Sequence, residues 1–245
     1  MNTLKLTNKN VKMIAHRGLS GLEKENTCSA FVAAGNRESY YGIETDIHVT
    51  ADGDFVIFHD DNTARVGIDS LEIEHSTTQT LKTLQLCDID GKRGRRDLLI
   101  PMLEDYILIC RKYEKECILE YKNAFCDEDI ARSIQQIRAL DYLEHVTFIS
   151  FNFENLVLLR QKCPNNKIQY LVESWDDEVL TKLQQYSLDL DIRYTSLSEE
   201  IVTAVHSIGH EVNCWTVNDV AVGEKLVRMG VDYITSNILE GNNER

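Results

Sequence analysis

Residues 199–235 read EEIVTAVHSIGHEVNCWTVNDVAVGEKLVRMGVDYIT, and this stretch contains the pattern that decides the fold. Apolar residues at 201, 202, 205 and 208 share one face of a helix, and Gly209 suits the position after its end. A strand pattern follows at 211–215, a second helix pattern at 222–229, and another strand pattern at 233–235. This alternation predicts parallel strands joined by right-handed helical crossovers.

The same alternation continues through the rest of the 245-residue chain. Three isoleucines on one face predict a further helix over residues 128–140. Other strands are predicted at residues 11–15, 42–47, 55–58, 117–121, 146–150, 168–172 and 188–192. About eight parallel strands in one domain of this size favour an α/β fold of the TIM-type (β/α)8 barrel class. An open, doubly wound sheet is the alternative that the pattern alone leaves open.

One stretch interrupts the alternation. From about residue 50 to residue 96 the distance to the next barrel strand is too long for a single crossover. The stretch includes a polar, acidic run at residues 60–76 and a basic run at residues 92–96. We expect a small insertion after the second strand, within a single domain over residues 1–245. Long segments of this kind commonly carry substrate contacts.

The composition argues against several classes of partner. The net charge of −14 disfavours nucleic acid and anionic membrane surfaces, because both attract an excess of Lys and Arg. The seven cysteines form no C-x-x-C pair, which disfavours a zinc cluster or a disulfide framework and fits reduced thiols. Residues 1–10 lack the apolar core of a signal peptide, and no apolar run approaches the length of a membrane span. We therefore expect a cytoplasmic protein without stable membrane association.

Polar residues follow the predicted strands at the end where a parallel barrel has its active site. His16 and Arg17 come directly after the first strand, and His59 and Lys122 follow two later ones. Imidazole titrates near neutral pH, so two converging histidines can remove one proton and donate another. Arg17 and Lys122 are suited to bind phosphoryl oxygens, Arg as a planar fork and Lys as a point charge.

Three carboxylates complete the candidate site. Glu44 and Asp46 are two residues apart on one predicted strand, so both side chains project from the same face. With Glu120 from another strand they form the set of hard oxygen ligands that Mg²⁺ or Ca²⁺ prefers. A Glu-x-Asp pair alone is usually a solvated or salt-bridged face. Its combination with His16 and Arg17 indicates instead a metal site for an anionic substrate.

These residues belong to a longer series of motifs that resembles the glycerophosphodiester phosphodiesterase family. The resemblance covers nearly the whole chain in order. Its motifs are His16-Arg17-Gly18, Glu25-Asn26-Thr27, Glu44-Thr45-Asp46, Asp52-Gly53, His59-Asp60, Ile100-Pro101-Met102-Leu103-Glu104, Leu119-Glu120-Tyr121-Lys122, Ser150-Phe151 and Trp215-Thr216-Val217-Asn218. The chain departs from the family pattern at Lys24, where the family usually has Pro, and at Thr235-Ser236-Asn237, where it usually has Thr-Asp.

The resemblance implies a β/α barrel with an inserted segment and one bound divalent cation. The cation would be Mg²⁺ or Ca²⁺, with Mn²⁺ as a third candidate. By the same resemblance Glu44, Asp46 and Glu120 would bind the cation. His16 and His59 would be the acid/base pair.

The resemblance also implies how the substrate is held. Arg17 and Lys122 would bind the phosphate, and Trp215 would line the substrate pocket. Glu25 and Asn26 would support the site from behind.

We therefore expect hydrolysis of a small glycerophosphodiester to glycerol 3-phosphate and an alcohol. A lysophospholipase D or a phospholipase C-like phosphodiesterase is the alternative on the same scaffold, and it would need an apolar groove for acyl chains. A catalytically silent metal- or phosphate-binding protein is the non-enzyme alternative, and it would be expected to lack some of these residues. The head group, the nucleophile, the metal and the oligomeric state stay open at this point.

Overall fold

Eight parallel strands close into a barrel in the computed structural model, which describes residues 2–7, 11–67 and 69–241. The strands are, in chain order, β1 (Leu4–Leu6), β2 (Lys12–Ala15), β3 (Gly42–Val49), β4 (Phe55–Ile57), β5 (Glu116–Tyr121), β6 (Val146–Ser150), β7 (Ile168–Val172), β8 (Asp189–Arg193), β9 (Val212–Trp215), β10 (Tyr233–Ser236) and β11 (Leu239–Gly241). The barrel consists of β2, β3 and β5 to β10, and it closes because β2 pairs with both β10 and β3. This confirms the predicted TIM-type barrel, since an open doubly wound sheet would leave two unpaired edges.

Helices connect the barrel strands. They are α1 (Cys28–Gly35), α2 (Thr78–Lys82), α3 (Leu103–Lys112), α4 (Asp127–Ala139), α5 (Phe153–Lys162), α6 (Asp177–Tyr186), α7 (Glu199–Ser207) and α8 (Val220–Met229). Three of these helices begin with a polar residue whose side chain accepts a hydrogen bond from a backbone N–H of the first turn. These residues are Thr27 before α1, Asp176 before α6 and Asp219 before α8. Each bond satisfies an N–H that has no partner within the helix. Within the described residues, no helix is long and apolar enough to cross a membrane.

The chain between β4 and α3 packs a small hydrophobic cluster of its own. β3 and β4 form an antiparallel hairpin in which Ile47 lies opposite Ile57. Beyond the hairpin, α2 and the loops around it bury Val56, Phe58, Val66, Ile73, Leu81, Leu84, Leu86, Leu98 and Ile100 together. The amide of Phe58 donates to the carbonyl of Asp46 at 3.0 Å. This contact brings His59, the next residue, to the carboxyl ends of the barrel strands.

An apolar layer crosses the interior of the barrel. Its buried members are Ile14, Ile118, Ile149, Leu171 and Tyr233, with Trp215 packed against them. Side chains alternate along a strand, so on each strand the residues directly before and after a member of this layer face the surrounding helices. The layer separates polar groups at the carboxyl ends of the strands from a second polar group at the amino ends.

Four polar side chains at the amino ends form what we call the lower cluster: Lys12, Lys167, Glu211 and Tyr233. Lys12 Nζ donates to Tyr233 Oη at 3.0 Å and lies 3.4 Å from Glu211 Oε1. Lys167 Nζ donates to the same hydroxyl at 2.6 Å and also forms an ion pair with Glu211. Tyr233 Oη in turn donates to Glu211 Oε2 at 2.7 Å. Every member of the lower cluster therefore has partners within it.

Candidate active site

Three buried carboxylates lie together at the carboxyl ends of β3 and β5. Glu44 and Asp46 project from β3, and Asp46 is in register with Glu120 of β5. One oxygen from each of the three lies within 4.8 Å of the other two, so the cluster can hold a metal ion. Burial, Asp46 and Glu120 raise the pKa of Glu44 well above its usual range. Burial and Asp46 raise the pKa of Glu120 to about 8, as expected when like charges share a site.

Asp46 is the member of the cluster whose charge is compensated. Burial acts to raise its pKa, but Lys122 and Arg17 hold that pKa well below its usual range. Asn26 Nδ2 donates to Asp46 Oδ2 at 2.8 Å, and Lys122 Nζ lies 3.4 Å from Asp46 Oδ1. Among the described residues, Oδ1 is nevertheless a buried oxygen without a hydrogen-bond partner. A hard cation bound to the three carboxylates would satisfy it, so these residues fit the metal that the sequence predicts.

The loop after β2 adopts left-handed backbone conformations at three residues. Arg17 has a φ of 55°, Gly18 of 74° and Asn26 of 53°. A Cβ at residue 18 would lie 2.6–2.9 Å from atoms of Ala30, so the loop needs a glycine there. Asn26 stabilises the turn through its backbone N–H, which donates a hydrogen bond to the backbone carbonyl of Arg17 at 3.0 Å. Its side-chain oxygen accepts a hydrogen bond from Thr45 at 2.7 Å, which ties the loop to β3.

Arg17 and Lys122 carry positive charge next to the acidic cluster. The backbone amide of Arg17 donates to Glu44 Oε2 at 2.8 Å, and its Nη1 donates to Glu25 Oε1 at 2.9 Å. Lys122 Nζ donates to Glu120 Oε1 at 2.7 Å. Within the described part of the chain, Arg17 Nε is buried and has no hydrogen-bond partner. Nε lies 3.7 Å from Asp46 Oδ2, so Arg17 balances the charge of the cluster while its Nε–H makes no hydrogen bond to the described residues.

His16 follows β2 and lies in a mostly buried environment. Its Nδ1 lies 2.6 Å from Asn237 Oδ1, which also accepts a hydrogen bond from Ser20 Oγ at 2.9 Å. Because Asn237 Oδ1 can only accept, Nδ1 carries the proton and Nε2 is left with a lone pair. Nε2 lies 3.9 Å from Glu44 Oε2. Burial and Arg17 lower the pKa of His16 to about 4, so the imidazole is neutral at pH 7.

His59 differs from His16 in its partner. Its Nδ1 lies 2.6 Å from Asp60 Oδ1, a carboxylate instead of an amide oxygen. Burial lowers the pKa of His59, whereas Asp46 and Asp60 act to raise it. A carboxylate at Nδ1 orients the ring and stabilises its protonated form.

Arg65 connects the two halves of the site, and the sequence analysis missed it. Its Nη1 and Nη2 donate to the two oxygens of Glu25 at 2.8 and 2.7 Å. Its Nε and Nη2 donate to the two oxygens of Asp60 at 2.7 and 3.2 Å. One guanidinium group thus binds the carboxylate that supports Arg17 and the carboxylate that supports His59. The nearby signals were the motif His59-Asp60 and the unusual segment Thr63-Ala64-Arg65-Val66 after it, and neither indicates that residue 65 returns to residue 25.

A cavity of about 150 Å³ opens between these groups and the opposite wall of the barrel. His16, Arg17, Glu44, His59 and Glu120 line one side of it. The other side consists of Ile149, Phe151, Leu171, Glu173, Asp191, Trp215, Thr216 and Thr235. Trp215 therefore lies in the pocket wall, as the sequence suggested. Asp46, Lys122, Glu25 and Asn26 stand behind the lining and hold it through the contacts above.

Two polar atoms of the opposite wall are buried without a hydrogen-bond partner among the described residues: Asp191 Oδ1 and Trp215 Nε1. Burial and Glu120 raise the pKa of Asp191 well above its usual range. The ring of Trp215 meets that of Phe151 edge to face, with centroids 5.6 Å apart. Neither Asp191 nor Phe151 was predicted as a site residue.

Comparison with known proteins agrees with this geometry. The Glycerophosphoryl diester phosphodiesterase family profile matches residues 16–240. The chain belongs to that family. It is therefore a phosphoric diester hydrolase, with the family's barrel and an acidic cluster that can bind a metal ion.

Individual relatives span nearly the whole chain. A glycerophosphodiester phosphodiesterase of Caldanaerobacter subterraneus is 27% identical and covers 92% of this chain and 93% of its own length. Among solved structures, an Oleispira antarctica phosphodiesterase in complex with the product sn-glycerol-3-phosphate is 27% identical, with a TM-score of 0.83 and 93% coverage of both chains. A glycerophosphodiester phosphodiesterase from Parabacteroides distasonis is 28% identical, with a TM-score of 0.78 and 94% coverage of both chains.

Proposed function

We propose that this chain hydrolyses a small, water-soluble glycerophosphodiester to glycerol 3-phosphate and an alcohol, with a divalent cation at Glu44, Asp46 and Glu120. The observation that carries the proposal is the cavity in which this acidic cluster faces two histidines and Arg17. The relative from Oleispira antarctica, which binds sn-glycerol-3-phosphate as its product, supports the choice of substrate. Mg²⁺ or Ca²⁺ is the expected ion because the three donors are carboxylate oxygens, and Mn²⁺ would serve as a substitute.

A divalent cation, when bound, neutralises charge on the phosphoryl oxygens and so favours nucleophilic attack on phosphorus. Arg17 has a free Nε donor beside the cluster and would bind one phosphoryl oxygen. Lys122 lies against Asp46 and Glu120 and offsets their charge from behind. Glu25 and Asn26 keep Arg17 and Asp46 in place through the hydrogen bonds described above.

The two histidines have partners that suit opposite roles. His16 is neutral, with its Nε2 lone pair unprotonated, so it would accept the proton of the nucleophile. His59 has Asp60 at Nδ1, and a carboxylate there stabilises the imidazolium, so His59 would protonate the leaving alkoxide. Asp60 in turn is held by Arg65.

The cavity favours a deacylated substrate over the lysophospholipase D and phospholipase C-like alternatives. Its volume of about 150 Å³ is below the range of about 300–1,000 Å³ that is typical of pockets for drug-sized ligands. The small volume favours a compact substrate over one that must also bury an acyl chain.

The deciding experiment measures glycerol 3-phosphate released from glycerophosphocholine and glycerophosphoethanolamine, with lysophosphatidylcholine as the competing substrate. Activity should require Mg²⁺, Ca²⁺ or Mn²⁺ and disappear in EDTA. His16→Ala and His59→Ala should each lower kcat by about 10²- to 10⁴-fold at a near-normal Tm. Failure to turn over any diester with any of the three ions would leave a silent binding protein as the better account.

A further inference from the structure

The backbone of the turn after β5 is held in place by the barrel. Asn155 of α5, which is 1% exposed, donates from Nδ2 to the carbonyl of Asn123 at 2.8 Å. Its Oδ1 accepts a hydrogen bond from the backbone N–H of Phe125 at 3.0 Å. The backbone N–H of Lys122 donates to the carbonyl of Ile47 at 3.3 Å. These contacts tie the turn to α5 and β3, so the side chain of Asn123 projects from a fixed backbone.

The side chain of Asn123 binds two acids of the inserted segment. Its Nδ2 donates to Asp61 Oδ1 and to Glu74 Oε1, each at 3.0 Å. An amide nitrogen carries two hydrogens, so both are used. Glu74 Oε1 also lies 3.0 Å from Nδ1 of the buried His48, and this contact lowers the pKa of Glu74. The inserted segment is therefore joined to the turn after β5 by one neutral donor that lies between two carboxylates.

The loop that carries His59 is held on two sides. Arg65 binds Asp60 and connects it to the loop after β2. Asn123 binds Asp61 and connects it to the turn after β5. The first contact orients the ring of His59 through Asp60, and the second fixes the chain directly beyond Asp60. Because a misplacement of about 1 Å can cost about 100-fold in rate, both contacts bear on catalysis although neither touches the substrate.

We propose that Asn123 is a positioning residue, which holds the loop of His59 against the turn of Lys122 and so sets the position of the proposed acid relative to the acidic cluster. Asn123 is not among the described residues that line the cavity, so it acts through His59. The inference rests on the proposed function, in which His59 protonates the leaving alkoxide. It goes beyond that function because it assigns a role to the contact between the inserted segment and the barrel.

The test uses two substrates that differ in their need for a proton. The alkoxide that leaves glycerophosphocholine must be protonated, whereas 4-nitrophenolate leaves the 4-nitrophenyl ester of glycerol 3-phosphate as a stable anion. In Asn123→Ala, kcat for the choline ester should fall by about 10- to 100-fold, with KM within about twofold of the native value. The kcat for the nitrophenyl ester should stay within about twofold of native. Equal losses with both esters, or no loss with either, would refute the positioning role.

A pair of charge variants tests the contact itself. Asn123→Asp keeps the side-chain shape but places a third carboxylate against Asp61 and Glu74. Repulsion should lower kcat for the choline ester below that of Asn123→Ala. Adding Asp61→Asn exchanges donor and acceptor across the contact and should raise kcat again by about tenfold. A double variant that is no more active than Asn123→Asp would contradict the contact.

Asn166→Ala is the matched control. Asn166 Nδ2 also bridges two oxygens, the carbonyls of Leu143 and Val146 at 2.8 and 2.9 Å, at the opposite end of the barrel from His59. The variant should lower the Tm at least as much as Asn123→Ala and leave kcat for both esters within about twofold of native. A loss of kcat in this control that matches Asn123→Ala would show that reduced stability, and not position, lowers the rate.

Amide hydrogen exchange separates failure of this inference from failure of the proposed function. In Asn123→Ala the peptide over residues 58–66 should exchange at least about tenfold faster than in the native protein, whereas the peptide over residues 28–36 should keep its native rate. This result supports the contact even if no diester is hydrolysed. Unchanged exchange over residues 58–66 refutes it even if hydrolysis is fast.

Discussion

The lower cluster and the candidate active site occupy opposite ends of one barrel, and both combine acidic, basic and aromatic side chains. In the lower cluster, Lys12 and Lys167 both form ion pairs with Glu211, and the hydroxyl of Tyr233 connects all three. Ion pairs and hydrogen bonds formed in this way hold the amino ends of β2, β9 and β10 together. The lower cluster has the properties of a structural support.

The candidate active site leaves polar atoms unpaired. Among the described residues, Arg17 Nε, Asp46 Oδ1, Asp191 Oδ1 and Trp215 Nε1 are buried without hydrogen-bond partners. Such groups are rare in native structures because each costs about 1–3 kcal/mol. The two ends of the barrel therefore have similar compositions, and they differ in how completely their polar atoms are paired.

The largest effect is expected from Glu44→Gln. The substitution replaces an anionic oxygen ligand of the proposed cation by a neutral amide, so kcat/KM should fall by about 1,000-fold or more. Burial, Asp46 and Glu120 disfavour the charged form of Glu44 when no cation is bound, so the neutral amide should leave the Tm in EDTA unchanged or raise it. Mn²⁺ should raise the Tm of the native protein but not that of the variant. A variant that is both active and stabilised by Mn²⁺ would show that the cluster is not the metal site.

A smaller loss is expected from Arg65→Ala. The guanidinium group binds both carboxylates with two hydrogen bonds each, so its removal should lower kcat by about 10- to 100-fold through misplacement of His59 and Arg17. Arg65→Lys should restore little, because an ammonium group cannot form two bidentate pairs. Arg132→Ala, at a half-exposed arginine paired with Asp129, is the matched control and should retain native kcat. Equal kcat for Arg65→Ala and this control would exclude the positioning role.

The pH dependence of stability tests the repulsion between the buried carboxylates of the acidic cluster. The pKa of Glu120 is raised to about 8, from about 4.3 in an unfolded chain. Below about pH 4.3 the carboxyl group of Glu120 is protonated in both states, and the fold then has its full stability with respect to this group. As the pH rises toward about 8, the unfolded chain gives up this proton more readily than the folded protein, so the free energy of unfolding falls. Thermal unfolding in EDTA should therefore show a Tm that decreases over this range. Glu120→Gln should flatten the decrease, and an unchanged slope would contradict the assignment.

The smallest effect is expected at the lower cluster. Glu211→Gln removes the charge that two lysines share, and the free energy of unfolding should fall by about 1 kcal/mol, since the side chains are partly exposed. The kcat and the response of the Tm to Mn²⁺ should both remain native. Urea unfolding followed by circular dichroism measures the first quantity. A loss of activity without loss of stability would remove the distinction between the two ends.

Local patterns in the sequence were sufficient for the alternating strands and helices, and they placed most of the candidate site residues at the carboxyl ends of the strands. The predicted strands at residues 146–150 and 168–172 coincide with β6 and β7, because short apolar runs between helical patterns leave few alternatives. Glu44, Asp46 and Glu120 could be predicted together because parallel strands align their carboxyl ends. Their proximity in the structure follows from the register of β3 with β5.

Long-range pairing could not be predicted in this way. The segment around Asp191 alternates leucine with aspartate, which is the pattern of a strand with solvated acids. Closure of the barrel turns that acidic face inward, and no local signal reveals it. Arg65 is 40 residues from Glu25, and the insertion that brings them together has no periodic pattern to define its course. Residues of this kind become visible only in three dimensions.

Arg65 is more exposed than the two carboxylates that it binds. Its side chain is 48% exposed, whereas Glu25 and Asp60, which it binds, are only 22% and 24% exposed. In Arg65→Ala the space left between these carboxylates would therefore open to solvent and match the shape of a free guanidinium ion. Added guanidinium chloride, at concentrations below those that unfold the protein, should restore part of the lost kcat, whereas sodium chloride at equal ionic strength should not. The enzyme would then depend on a small molecule that can be supplied or withdrawn during an assay.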